Sequence, residues 1–82
     1  MKWISIQETP GTGKTKRFYV MTADRTTDLG TIRFYPKWRK YAFYPNPDTL
    51  YEVDCLRDIA QFCADETAAW RLGLKRGQVN VA

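Results

Sequence analysis

Apolar and polar residues alternate through most of the first half of this chain. In Lys2–Gln7, Lys2, Ile4 and Ile6 fall on one side and Trp3, Ser5 and Gln7 on the other. In Lys16–Thr22, Phe18 and Val20 stand against Arg17, Tyr19 and Met21. In Leu29–Tyr35, Ile32 and Phe34 stand against Thr31, Arg33 and Tyr35. A period of two is the mark of a half-buried strand, so each run predicts one. Arg39–Tyr44 predicts a fourth, after a turn at Pro36-Lys37-Trp38 where proline cannot donate to a central ladder. Short connections make these strands an antiparallel meander.

The period changes after Pro45-Asn46-Pro47-Asp48. Thr49–Val53 reads as a short extended piece. Leu56, Ile59, Ala60, Phe62 and Cys63 then recur at helical spacing. Asp54 is the expected N-cap, and Gly73 is the expected stop after a helix ending near Leu72. Asp58 near the start and Arg71 near the end suit the helix dipole. The expected fold is therefore α+β: a four-stranded antiparallel sheet with one C-terminal helix packed on one face. Residues 1–73 form a single ββββα domain, and 74–82 are expected to be a flexible tail.

One helix can cover only one face of the sheet. If Ile4, Ile6, Phe18, Val20, Ile32 and Phe34 face the helix, the open face carries Trp3, Arg17, Tyr19, Arg33 and Tyr35. The fourth strand adds either Lys40, Ala42 and Tyr44 or Arg39, Tyr41 and Phe43, because a one-residue slip exchanges the two sets. Arg39 and Lys40 are both carried as candidates. Within Thr31–Tyr44, ten of fourteen positions are aromatic or cationic. Such a mixture can stack on bases and grip phosphates, or anchor a protein interface. It can equally be the bland covering of a small sheet, with Arg stems lying over rings.

Charge sharpens this picture. The 82 residues carry a net +4. Residues 1–45 hold nine Lys/Arg against three Asp/Glu, a net of +6. Residues 46–72 hold two against six, a net of −4. An affinity for anions is expected of the basic half.

The chemistry on offer is sparse. There is no histidine, so the commonest general base and metal ligand at neutral pH is missing. Ser5 is the only serine. Cys55 and Cys63 on one helix would be about 12 Å apart along its axis, too far to bridge. Buried thiols in a reducing compartment follow. Asp54 and Asp58 read as a cap and a solvated acid. Pro10–Thr15 carries the Gly-Lys-Thr of a phosphate-binding loop, but Glu8 stands where its first glycine belongs and strand-forming residues follow. It reads as a Gly-rich hairpin turn. No enzyme, cofactor or metal site is expected. With no long apolar run and no signal-peptide core at the start, a cytoplasmic protein is expected, with no membrane partner.

Leu29-Gly30-Thr31-Ile32-Arg33-Phe34-Tyr35, Trp38-Arg39, Tyr41, Phe43-Tyr44-Pro45, Thr49 and Cys55-Leu56-Arg57-Asp58-Ile59-Ala60-Gln61-Phe62 form a pattern. It resembles small uncharacterised proteins encoded by bacteriophages and prophages, over about residues 16–64. The resemblance implies a mobile-element origin and carries no activity or catalytic residue with it. The expected function is a small non-enzymatic binding module with nucleic acid on its basic aromatic face. The alternatives are a module engaging a host protein and a self-associating protein. A monomer or weak homodimer is expected.

Overall fold

A computed structural model gives the architecture, and it describes residues 3–9 and 15–81, with side chains through Gly73. The fold is α+β. Strands β1 (Ile4–Glu8), β2 (Arg17–Thr22), β3 (Asp28–Tyr35) and β4 (Lys40–Pro45) precede helix α1 (Val53–Val81). The sheet is an antiparallel meander in the order β1-β2-β3-β4. The Gly-rich segment 10–14, expected as a hairpin turn, lies outside the described residues.

Alternation sets the faces. Ile4, Phe18, Val20 and Ile32 are buried under the helix, and Ile6 and Phe34 pack beside them. The register pairs Phe34 with Tyr41 and Ile32 with Phe43, so Tyr41 and Phe43 share this face. That settles the fourth strand: Lys40, Ala42 and Tyr44 point the other way. A bulge between Val20 and Met21 shifts the ladder and tucks Leu29 into the core. Gly30 sits beside it with φ +154°, and a Cβ there would collide with the Tyr44 carbonyl oxygen. Glycine is needed at that crossing.

The helix differs from expectation at both ends and in phase. Its cap is Glu52, not Asp54. The Glu52 carboxylate accepts the Cys55 N–H at 2.7 Å, and the Glu52 carbonyl accepts the Leu56 N–H at 3.1 Å. The backbone N–H of Asp54, and after it that of Cys55, holds the Glu52 carboxyl below its usual range. Val53, expected to be extended, opens the helix. Asp54 instead pairs loosely with Arg57 at 3.9 Å on the surface. Helix α1 also runs through Gly73, so the expected stop is not there and Arg71 is not terminal. A Cβ added at Gly73 would meet nothing within 4 Å. Leu72, Leu74, Lys75 and Arg76 around it are strong helix formers, which offset the roughly 1 kcal/mol that glycine costs.

The face turned to the sheet is Cys55, Ile59, Phe62, Cys63, Thr67 and Trp70. Leu56 and Ala60, expected in the core, are exposed. Two aromatic anchors set the phase. Phe62 meets Phe18 edge-on at 4.8 Å, and Trp70 packs on Phe34 at 4.5 Å. Leu56 is left on the flank of the stripe they define.

Thr67 does a second task. Tyr41 lies in the edge strand, and its N–H points out of the sheet. That N–H donates to Thr67 Oγ1 at 2.9 Å, and the Thr67 hydroxyl donates to the Cys63 carbonyl at 2.8 Å. The helix thereby closes the β4 edge. The Tyr41 phenol accepts the Lys16 N–H at 3.0 Å and ties β4 to the start of β2.

Candidate nucleic-acid interface on the open sheet face

The face away from the helix can be read row by row from the register. Gln7, Tyr19, Thr31 and Tyr44 make one row across all four strands. Arg17, Arg33 and Ala42 make the next. Tyr35 and Lys40 follow at the turn end, and Ser5 and Met21 lie at the other. Among the described residues the only carboxylate whose register places it on this side is Asp28, opposite Met21 at the margin.

Arg17 and Arg33 are direct cross-strand neighbours. Like charges in that relation destabilise a sheet. The guanidinium of Arg33 lies over the Tyr44 ring at 3.8 Å, within cation–π range. This contact fixes one side of the group. Its Nε is buried without a hydrogen-bond partner. Arg17 is exposed, and Tyr19 is 49% exposed. Thr9, Arg17, Phe18, Tyr19, Thr31 and Arg33 line a hollow of about 540 Å³. The hollow offers two guanidinium groups, two threonines and a ring, a donor set suited to a phosphate beside a base.

The other expected site residues divide. Tyr35 is held edge-on by Trp38 at 4.6 Å, at the turn end of the face. Lys40 stands opposite Tyr35 on the outer strand. It also borders a second hollow of about 370 Å³ with Cys63, Thr67 and Arg71 of the helix, so it belongs to the rim. Trp3 precedes β1, at the far end from Tyr35, and is half exposed. Arg39 is not on this face. With φ 53° it closes the β3–β4 turn in the left-handed region, and its guanidinium lies 5.5 Å from the Trp70 ring on the helix side. The face thus brings together Arg17, Tyr19 and Arg33, with Tyr35 and Lys40 at one end. Tyr44 and Thr31 complete it. Thr31 was legible in the parity of Arg33 and Tyr35; Thr9 had no signal.

Elsewhere the groups are quiet. Burial pushes the Cys63 thiol up to about 11 and that of Cys55 upward as well, away from the thiolate a nucleophile needs. Both cysteines are free. Among the described residues no cluster of three Cys, Asp or Glu could hold a metal ion, and no helix is long and apolar enough to cross a membrane. No family model, curated protein or solved structure matches the chain.

Proposed function

We propose that this protein is a small non-enzymatic module that binds single-stranded nucleic acid on the open face of its sheet. The observation that carries the reading is the Arg17–Arg33 neighbour pair flanked by Tyr19 and Tyr44. Folding gains nothing from two adjacent guanidinium groups, whereas a phosphate between them neutralises both. The exposed Tyr19 ring in the next row supplies stacking surface that accepts any base, worth about 1–3 kcal/mol per base. A flat sheet left uncovered by the helix suits a strand whose bases are splayed.

Fluorescence anisotropy with a labelled single-stranded oligonucleotide and its duplex tests this from about 50 to 200 mM salt. Binding to the single strand is expected, weakening with salt. Arg17→Ala and Arg33→Ala are each expected to lower the salt slope by about one phosphate's share. No binding at low salt overturns the reading.

A second reading has its own support. Leu50 is 93% exposed, and Val53 and Leu56, close after it in sequence in the first turn of the helix, are exposed too. This apolar group lies off the basic face and suits a protein partner, such as a host protein met by a phage factor. Capture from bacterial lysate that survives Leu50→Asp/Leu56→Asp unchanged removes it. An origin in a mobile element rests on the sequence resemblance, and a cytoplasmic location on the two free thiols.

A further inference from the structure

The backbone phase of β2 sets how close its arginine stands to that of β3. The Thr9 N–H donates to the Arg17 carbonyl at 2.8 Å, so the backbone of Arg17 bonds toward β1. Antiparallel ladders alternate, so Arg17 faces Arg33 as a non-hydrogen-bonded pair. Side chains approach most closely in such pairs, with Cα atoms about 4.5 Å apart. Among the described residues neither guanidinium has a carboxylate partner; the ion pairs are Lys16 with Glu66 and Arg57 with Asp54. Asp28, the acid at the margin of this face, pairs with Met21, about 13 Å along β2 from Arg17. The Tyr44 ring lies 3.8 Å from the Arg33 guanidinium, and the buried Nε has no partner. That leaves the terminal amino groups of Arg33 as its donors to the hollow it lines.

We propose that this hollow seats a phosphate monoester, so that the protein prefers a single strand with a terminal phosphate to one whose ends are hydroxyls. It is the same hollow that meets the strand in the nucleic-acid reading, and the preference rests on that reading. Charge favours the monoester. A diester within a strand carries one negative charge and leaves one guanidinium charge unmatched. A monoester carries about −1.5 to −2 at pH 7 and matches both. Shape favours it too. A monoester presents three acceptor oxygens and leaves by one arm, so both guanidinium forks can engage it. A diester must carry an arm out of the hollow on either side. At about 540 Å³ the hollow falls within the roughly 300–1,000 Å³ of small-molecule pockets. Tyr19 stands two residues along β2 from Arg17, about 7 Å away. Its half-exposed ring is placed to stack the base attached to that phosphate.

Competition against a labelled, hydroxyl-ended oligonucleotide tests this with the full chain, read by fluorescence anisotropy at about 50 mM salt. The competitors share one sequence and carry a 5′-phosphate, a 3′-phosphate or neither. A fourth is hydroxyl-ended but longer by one nucleotide, so its added charge is a diester. At least one phosphorylated form is expected to bind roughly tenfold tighter than the hydroxyl-ended form. The arm that gains names the end. The longer competitor is expected to gain less than about twofold. Arg17 is exposed, so Arg17→Gln keeps the fold. It is expected to cut the preference to about twofold or less. Tyr19→Ala weakens all four competitors alike and keeps their ratios.

Equal binding by the phosphorylated and hydroxyl-ended forms overturns the preference and leaves the nucleic-acid reading standing. So does a longer competitor that gains as much as a phosphorylated one. No binding by any form overturns the reading itself. A preference that persists unchanged in Arg17→Gln overturns the assignment to this hollow. A phosphotyrosine peptide that competes as well as the better oligonucleotide overturns the choice of nucleic acid as the carrier of the phosphate.

Discussion

Val20 and Tyr19 are neighbours in β2, yet one is wholly buried and the other half exposed. The same contrast runs across the sheet, from Ile32 against Arg33 to Tyr41 against Ala42. On the helix side, apolar side chains lock into one another and into Cys55, Ile59, Phe62 and Trp70. On the open side, cations sit next to cations. The first face is explained by folding, since its residues are what burial selects. The second is not, because two arginines side by side cost stability, and only the contact of Arg33 with the Tyr44 ring offsets part of that cost. A site is what separates the two faces, and substitutions on each should behave oppositely.

The largest effect belongs to the closed face. Ile32 is 0% exposed at the centre of the core. Ile32→Ala is expected to cost about 3–4 kcal/mol, from lost burial and the cavity left behind. A domain this small has only about 4–12 kcal/mol in total. Urea denaturation checks this. A loss below about 1 kcal/mol would mean that the core is not closed there.

Gly30 comes next, on the boundary between the faces. Gly30→Ala forces a Cβ into the Tyr44 carbonyl oxygen and to 2.9 Å from the Phe43 ring. Strain of roughly 2–3 kcal/mol is expected in the same denaturation series. Thr67→Val then leaves the buried Tyr41 N–H without an acceptor, at about 1–3 kcal/mol, whereas Thr67→Ser stays near wild type. Faster exchange at the Tyr41 amide in the valine variant would locate the loss at the β4 edge.

What the sequence shows follows the same division. Strand alternation gave the closed face of β1, β2 and β3 and the open set Arg17, Tyr19, Arg33 and Tyr35, because period two leaves one assignment when one side is apolar. It failed in β4, where Arg39, Tyr41 and Phe43 compete with Lys40, Ala42 and Tyr44 and both sets hold rings and a cation. The choice was made by a left-handed residue in the turn, Arg39, which carries no propensity signal for that conformation. The helix was legible as a helix but not in phase. Leu56 looks like core by spacing, yet Phe62 on Phe18 and Trp70 on Phe34 turn it outward. Its cap was missed because Glu52 is not a preferred N-cap residue, whereas Asp54 is. The β4 edge contact through Thr67 is a tertiary hydrogen bond with no local signature.

The open face supplies the opposite sign. Arg17→Thr removes one of two facing charges and places a β-branched residue in a strand. Stability is expected to rise by about 0.2–0.5 kcal/mol at low salt, with the gain shrinking as salt screens the pair. Binding to the oligonucleotide falls in the same variant. A loss of stability together with unchanged binding would erase the contrast between the faces, because Arg17 would then be structural.

The smallest expected effect lies off both faces, in the β2–β3 turn, and serves as a control. The Asp24 carboxylate accepts from the Thr22 hydroxyl at 2.7 Å, from the Thr26 hydroxyl at 2.7 Å and from the Thr26 N–H at 3.1 Å. The Thr22 bond is the leading cause of a pKa lowered from 3.8 to about 2. A carboxyl depressed in the folded state stabilises it above the unfolded value. That contribution fades as pH falls below 3.8 toward 2. Because the group is fully solvated, the effect is on the turn and not on the global fold. A carboxyl titration by NMR should find the Asp24 midpoint near 2 in wild type and shifted up toward 3.8 in Thr22→Val. The chemical shifts of Ile32 and of Arg33 should stay fixed across the same range. Movement at Ile32 would couple the turn to the core, and movement at Arg33 alone would couple it to the binding face. Either result would show that the two faces are less independent than their alternating pattern implies.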